Sequence, residues 1–359
     1  MPHKMMKKYV LATILLGAMA GANAADWKLT SLGFHSASIQ KLTNRGDLIS
    51  RTGGWPGETY SVYYHDGKLE QLGPIPEDDD FGYLAGGVNE AGVIVGGAGM
   101  RGAAPGVGIV FRDGKQESIG SKMTFGVGIN NSGQIVGRHF GGNSVDGYST
   151  RSYLYSNGVD TDLGGFGGSD TVAQSINDAG TVVGRASRAD GSRAGFVYRD
   201  GKLSEFATVP GFSNVQGLSF INNRDMMTGY GGLAGAPDKY IEFLYDHGKV
   251  TNLEALVDAY SGEPVYEFTV TGMNNLGQVV GHNGAFHSYL ISDGKVTDLA
   301  PYGITHVGGI NDAGVIAGLD WNFKVSLLQL NISPVPEPAT YGMLLGGLGL
   351  FALARRRPS

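Results

Sequence analysis

The sequence predicts an all-β fold assembled from repeated four-stranded meanders, and three observations carry that expectation. Of 359 residues, 60 are Gly and 13 are Pro, so about a fifth of the chain is turn chemistry. The stretch from Ser175 to Phe206 reads as four short strands joined by turns. That unit then recurs along the chain.

Within it, Gln174-Ser175-Ile176 leads into the turn Asn177-Asp178-Ala179-Gly180, followed by Thr181-Val182-Val183-Gly184-Arg185. A polar loop, Ser187 to Arg193, precedes a third run, Gly195-Phe196-Val197-Tyr198, and the turn Arg199-Asp200-Gly201-Lys202 feeds a fourth, Leu203 to Phe206. Asp-Gly between two β-rich runs is a strong hairpin signal, because a type I′ turn needs two residues that tolerate φ > 0. The longer turn ending at Gly180 suits a left-handed residue that closes a bulged hairpin.

Aligning the residue that closes the first turn gives Gly46, Gly92, Gly133, Gly180, Asp225, Gly277 and Gly314. The mean spacing is about 45 residues, the period of a β-propeller blade. Asp225 is a mild departure, since Asp tolerates the left-handed region better than most residues. The fourth strand occurs only six times after its hairpin, while an orphan copy, Trp27–Gly33, stands at the start of the body. Pairing that orphan with Val325–Leu330 closes a ring and removes an exposed edge. The expected architecture is therefore a seven-bladed β-propeller of four-stranded blades over residues 25–333, closed by its N-terminal strand. An open array or two smaller β domains are the alternatives.

Composition narrows the function. With no cysteine, the chain uses neither disulfides nor thiol and Cys-type metal chemistry. The formal charge is −6; without Lys4, Lys7, Lys8, Arg355, Arg356, Arg357 and Glu337, 27 basic residues fall to 21 and 33 acidic ones to 32, giving −11. An acidic body disfavours nucleic acid and anionic membranes, since phosphate binding needs a basic face. No partner of that kind is expected.

Both ends read as addresses. Residues 1–24 carry a basic region, an apolar run from Tyr9 to Met19, and Ala22-Asn23-Ala24 as a cleavage site, the pattern of a secretory signal helix. Residues 334–359 carry Pro336-Glu337-Pro338, the apolar stretch Tyr341–Ala354, and Arg355-Arg356-Arg357. Fourteen helical residues span about 21 Å, short for a transmembrane helix unless the flanks snorkel. The arginines stay cytoplasmic, so the stretch fits a helix held transiently in the inner membrane. A plain C-terminal anchor is the alternative.

This ordering resembles the PEP-CTERM sorting signal of Gram-negative bacteria that make exopolysaccharide. The resemblance implies processing near Pro336, Glu337 and Pro338 by an exosortase-type membrane protease, and a cell-surface or extracellular-matrix destination. The recurring I-N-D-A-G-x-V-V-G followed by F-x-Y-x-D-G-K resembles the HAF-type extracellular repeat. That resemblance implies export and repetition, and no particular reaction.

Candidate chemistry lies where the repeat is irregular. The Asn-x-x-Gly and Asp-Gly turns share one rim and read as folding devices, with calcium binding as the functional alternative. The opposite rim carries variable loops, where binding tends to reside. Its aromatic candidates for ligand contact are Trp55, Tyr83, Tyr148, Tyr240, Tyr260, Tyr302 and Trp321. Aromatic faces beside polar groups suit a sugar polymer; packing of their own loops is the bland alternative. Glu77-Asp78-Asp79-Asp80 is the densest acidic run, while His139 and His282 occupy adjacent repeat positions without metal-like spacing.

No cofactor, metal site or catalytic residue is singled out, and G-x-S-x-G is absent. The expectation is an exported, non-catalytic propeller that binds or organises exopolysaccharide. A carbohydrate-active hydrolase or lyase with its site in the central funnel is the second reading, and a protein-binding surface module the third.

Overall fold

The computed structural model describes residues 27–52, 60–73, 83–98, 106–143, 147–264, 267–284 and 287–330. The expected signal helix, the sorting segment with its apolar stretch, Trp55 and the acidic run at residues 77–80 all lie outside these. Leu29–Leu328 form one compact unit; the second unit, Met1–Lys28 with Gln329–Ser359, contributes only the described ends of two strands.

Strand is the dominant element among the described residues. The chain opens with β1 (Trp27–His35) and continues through β2 (Ser38–Leu42), β3 (Leu48–Thr52), β4 (Tyr60–His65) and β5 (Lys68–Leu72), the last four forming a sheet in that order. A second meander follows in β6 (Tyr83–Val88), β7 (Ile94–Ala98), β8 (Val107–Arg112) and β9 (Lys115–Ser118). Next come β10 (Phe125–Ile129), β11 (Ile135–Asn143), β12 (Gly147–Ser156) and β13 (Val159–Asp162), then β14 (Gly167–Ile176), β15 (Val182–Arg188), β16 (Arg193–Arg199) and β17 (Lys202–Phe206). These two meanders count as one eight-stranded sheet because a parallel bridge, Thr150 to Asp170, links β12 to β14.

A further sheet holds β18 (Phe212–Ile221), β19 (Met227–Leu233), β20 (Ala236–Asp246) and β21 (Lys249–Asn252), followed by helix α1 (Leu253–Ser261). Another holds β22 (Thr269–Met273), β23 (Val279–His282), β24 (Ser288–Ser292) and β25 (Lys295–Asp298). The last contains β26 (His306–Ile310), β27 (Ile316–Leu319) and β28 (Lys324–Leu330), with β1 from the start of the chain beside β28.

Local chemistry explains the repetition. The six hairpins joining third to fourth strands place Asp66, Asp113, Asn157, Asp200, His247 and Asp293 at φ between 47° and 51°, each followed by a positive-φ glycine. That is the type I′ turn expected of Asp-Gly. At the other recurring turn, Gly180 sits at φ 80° and Asp225, its non-glycine counterpart, at φ 58°.

Every inner strand also carries a bulge at one register position: Gln40, Gly86, Val127, Gln174, Ser219, Thr271 and Gly308. The bulge brings backbone close to the second strand, which accounts for the glycine of the Val-Val-Gly pattern. A Cβ at Gly184 would lie 2.2 Å from the Val172 carbonyl oxygen.

The amide preceding a bulge is answered across the gap between neighbouring meanders. Buried Ser61 accepts the Ala85 N–H at 2.9 Å, Ser152 accepts that of Ala173 at 2.8 Å, and Ser288 accepts that of Val307 at 2.9 Å. Glu242 occupies the same position and takes the Val270 N–H instead. Apolar clusters fill the spaces between neighbouring sheets; one joins Ile49 and Tyr63 to Tyr83, Ala85, Ile94 and Ile109. The core is thus a series of inter-sheet layers.

Candidate functional site

The Asn-x-x-Gly turns converge around a polar cavity of about 340 Å³. Two hydrogen-bond circuits build its wall. In the first, each turn asparagine uses Oδ1 to hold its own turn: Asn89 Oδ1 accepts from Ala91 N and Val93 N at 3.1 and 3.0 Å. Its Nδ2 donates onward to the carbonyl of the next turn, Asn130, at 3.2 Å. The chain of donation continues from Asn130 to Asn177, Asn222, Asn274 and Asn311, and ends at the Thr43 carbonyl. Thr43 has no amide to pass the bond on to Asn89.

The second circuit is closed. The backbone N–H of Asn44 donates to Glu90, Glu90 to Asn131, Asn131 to Asp178, Asp178 to Asn223, Asn223 to Asn275, Asn275 to Asp312, and Asp312 back to Asn44, at 2.8–3.0 Å. Asp178 Oδ2 also accepts from the side-chain amides of Asn131 and Asn223, and Asp312 Oδ2 from those of Asn44 and Asn275. The recurring asparagines and aspartates therefore spend their hydrogen-bonding capacity on one another.

Lys41 lines the same cavity, at the register position held by Gly87, Gly128, Gly272 and Gly309 in other repeats. It forms no ion pair among the described residues. Lys41 is exposed to the lumen, and desolvation by the surrounding wall holds its pKa below the usual 10.5. The carboxylates of Glu90, Asp312 and Asp178 pull the other way.

The aromatic candidates separate. Tyr83 is a core residue, 2% exposed, set edge-on to Phe111 with centroids 4.7 Å apart. Burial raises its pKa far above the tyrosine range, and it presents no face to a ligand. Tyr148 lies in β12 opposite Gly142, and Tyr302 closes a short 3-10 turn, half-buried. Tyr240 and Tyr260 are each 53% exposed and Trp321 64%. Tyr240 lies in β20 opposite Gly232, Tyr260 in the helix that connects two sheets and Trp321 on a second-to-third connection, all toward the end of the meanders opposite the asparagine turns.

The connector between β21 and β22, on the rim expected to carry variable loops, holds helix α1. Asn252 caps it by accepting the Ala255 N–H at 2.9 Å, and Gly262 ends it at φ 75°. Leu253 and Val257 are buried against Phe268, Val279 and Tyr289, while buried Glu254 pairs with Lys239 at 2.8 Å. Beside the helix is a cleft of about 490 Å³. Tyr260 meets Tyr289 edge-on at 6.4 Å, His287 stacks on Tyr289 at 6.3 Å, and His287 Nδ1 lies 3.5 Å from Asp298 Oδ2. Glu263 and Glu267 line the same cleft.

Neither histidine singled out by position joins the other. His139 bonds the Lys122 carbonyl at 2.9 Å, and His282 lies against His306 with centroids 6.3 Å apart. Desolvation, and secondarily His282, lowers the His306 pKa. The Ser187–Arg193 loop is pinned by Arg188, which bonds Ser192 and pairs with Glu205 at 2.6 Å. Among the described residues, no group of three or more His, Asp or Glu is placed to hold a metal ion, and no helix is long and apolar enough to cross a membrane.

Solved structures with this architecture are β-propellers. The β-propeller domain of the Trilobed protease from Pyrococcus furiosus matches at 11% identity and TM-score 0.50, over 78% of this chain and 90% of that one. Pyrococcus horikoshii acylaminoacyl peptidase matches at 12% identity and TM-score 0.50, over 78% of this chain and 49% of the peptidase, so the likeness spans about half of that enzyme. At such identities the likeness is one of fold. This chain is an all-β protein of the propeller class. More particularly, residues 334–357 match the PEP-CTERM protein-sorting motif. No curated protein matches the sequence.

Proposed function

We propose that the chain is an exported, non-catalytic seven-bladed propeller, sorted through its C-terminal signal to the cell surface or extracellular matrix of a Gram-negative bacterium. An exosortase-type membrane protease processes it near Pro336, Glu337 and Pro338, with residues 341–354 inserted briefly in the inner membrane and Arg355, Arg356 and Arg357 left on the cytoplasmic side. The body then binds or organises exopolysaccharide through its irregular rim.

The sorting half of the reading is supported by the motif at residues 334–357. The binding half rests on one observation: the asparagines and acids of the asparagine end are consumed by their own circuits, whereas Tyr240, Tyr260 and Trp321 stand more than half exposed at the other. Exposed aromatic faces on a rigid scaffold are suited to sugar rings.

Incubating the full chain with its host's exopolysaccharide, and following both retention and polymer length, tests the binding claim. Retention without shortening is expected; shortened chains sink the non-catalytic reading, and no retention sinks the polysaccharide. Mass spectrometry of the exported protein tests sorting, since an intact arginine tail rules out exosortase-type processing.

A further inference from the structure

The α1 cleft is where the repeat is broken by a folded insertion. The turn-to-turn interval that contains it is the longest, 52 residues against 37–47 elsewhere. Insertions into a repeat fold gather at binding faces. Its aromatic floor is fixed: Tyr289 is buried, with burial foremost and then the Asp298 charge and Tyr260 pushing its pKa to about 12, and the imidazole of His287 stacks on it. Tyr260 is held at the lip near the C-terminal end of the helix, which is anchored through Leu253 and Val257 on the same apolar face.

The charge of the cleft is one-sided. Glu263, Glu267 and Asp298 line it, the last beside His287, and among the described residues neither Lys nor Arg does. We propose that this cleft is a subsite for an amine-bearing sugar residue of a polysaccharide. The ring of Tyr260 stacks on the pyranose face, and the three carboxylates receive the ammonium and neighbouring hydroxyls. An ammonium near a tyrosine face gains cation–π attraction in addition to charge pairing. A polyuronate meets like charge and is excluded. The proposal rests on the polysaccharide-binding reading and specifies where the polymer sits and which chemistry is selected.

The experiment compares three probes on the full chain at low and high salt: oligosaccharides of partly deacetylated chitin, the fully N-acetylated oligomers, and a polyuronate. Tight binding is expected only for the amine-bearing oligomers, and it weakens as salt rises. Tyr260→Ala and the double variant Glu263→Gln/Glu267→Gln alter exposed side chains. Each weakens binding about tenfold or more, equivalent to ~1.4 kcal/mol. Unchanged melting temperatures confirm that the variants are folded.

Equal binding of the N-acetylated oligomers overturns the amine specificity. Undiminished binding by Tyr260→Ala overturns the location. If the wild-type chain retains its host's polymer but none of the three probes, and Tyr260→Ala retains that polymer equally, the subsite is wrong and the broader reading stands. If the chain retains neither host polymer nor probe, both fall.

Discussion

Glu242 stands where three other repeats carry a serine, and it answers the same kind of backbone amide, that of Val270. Its Oε2 has no hydrogen-bond partner among the described residues. Burial pushes the carboxyl from its ordinary 4.5 to about 8, against the opposing pull of the Val270 N–H. Between those values the folded chain keeps a proton that the unfolded chain releases. Stability is therefore full below the unfolded value and falls as pH rises through the folded one. At about 1.4 kcal/mol per unit the loss above pH 8 approaches 5 kcal/mol, and water reaching this half-buried residue trims it to ~3 kcal/mol.

Glu242→Gln keeps the acceptor and the volume but cannot ionise. Urea midpoints of the two proteins should coincide near pH 4.5 and separate steadily, until near pH 8.5 the variant is more stable by ~3 kcal/mol. A stability difference that does not change with pH refutes the argument, because it leaves the carboxyl unshifted by folding.

Three further outcomes follow from the same geometry. Thr43→Asn supplies the missing donor of the first circuit, toward the Asn89 carbonyl, and should stabilise the fold by ~1 kcal/mol in chemical denaturation. Tyr83→Ala should cost about 3–5 kcal/mol and leave polysaccharide retention by the folded fraction unchanged, whereas Tyr83→Phe is near neutral, since its hydroxyl makes only a 3.4 Å bond to the Ile109 carbonyl. Lys41 is held below its usual pKa, so its charged form disfavours the fold. Wild-type stability gains a contribution as pH rises toward 10.5, and Lys41→Met should lack it in paired unfolding measurements at pH 7 and 10.

Much of the scaffold could be read from residues alone because its rules are local. Asp-Gly demands a particular turn, and Asn-x-x-Gly demands another, whatever surrounds them. What the asparagines do across repeats was not legible, since the carbonyls that accept from their Nδ2 are 37–52 residues away, and 268 for Asn311 to Thr43. The inner-strand bulges were hidden too, because a bulge is a relation between two strands. Helix α1 did have a signal: apolar Leu253, Leu256, Val257 and Tyr260 at helical spacing between an asparagine cap and Gly262. Tyr83 failed as a rim residue because it begins an inner strand, where alternation turns it into the layer shared with Phe111.

The closed circuit carries a constraint that no single repeat reveals. Its members in order are Asn44, Glu90, Asn131, Asp178, Asn223, Asn275 and Asp312. No two acids are adjacent, even across the closure from Asp312 to Asn44. In a seven-membered ring three is the largest number of acids that permits this. Each aspartate lies between amides that donate to its second oxygen, so its charge is answered from both sides. Asn131 separates Glu90 from Asp178. Asn131→Asp keeps the acceptor for the Glu90 N–H but removes the donor to Asp178 and places three carboxylates in a row. It should cost ~1–3 kcal/mol at low ionic strength, partly recovered in 1 M salt, where charges more than about 3 Å apart are screened. If the variant unfolds at the wild-type urea concentration in low salt, the alternation of acid and amide is an accident of sequence, and the circuit tolerates charge in any order.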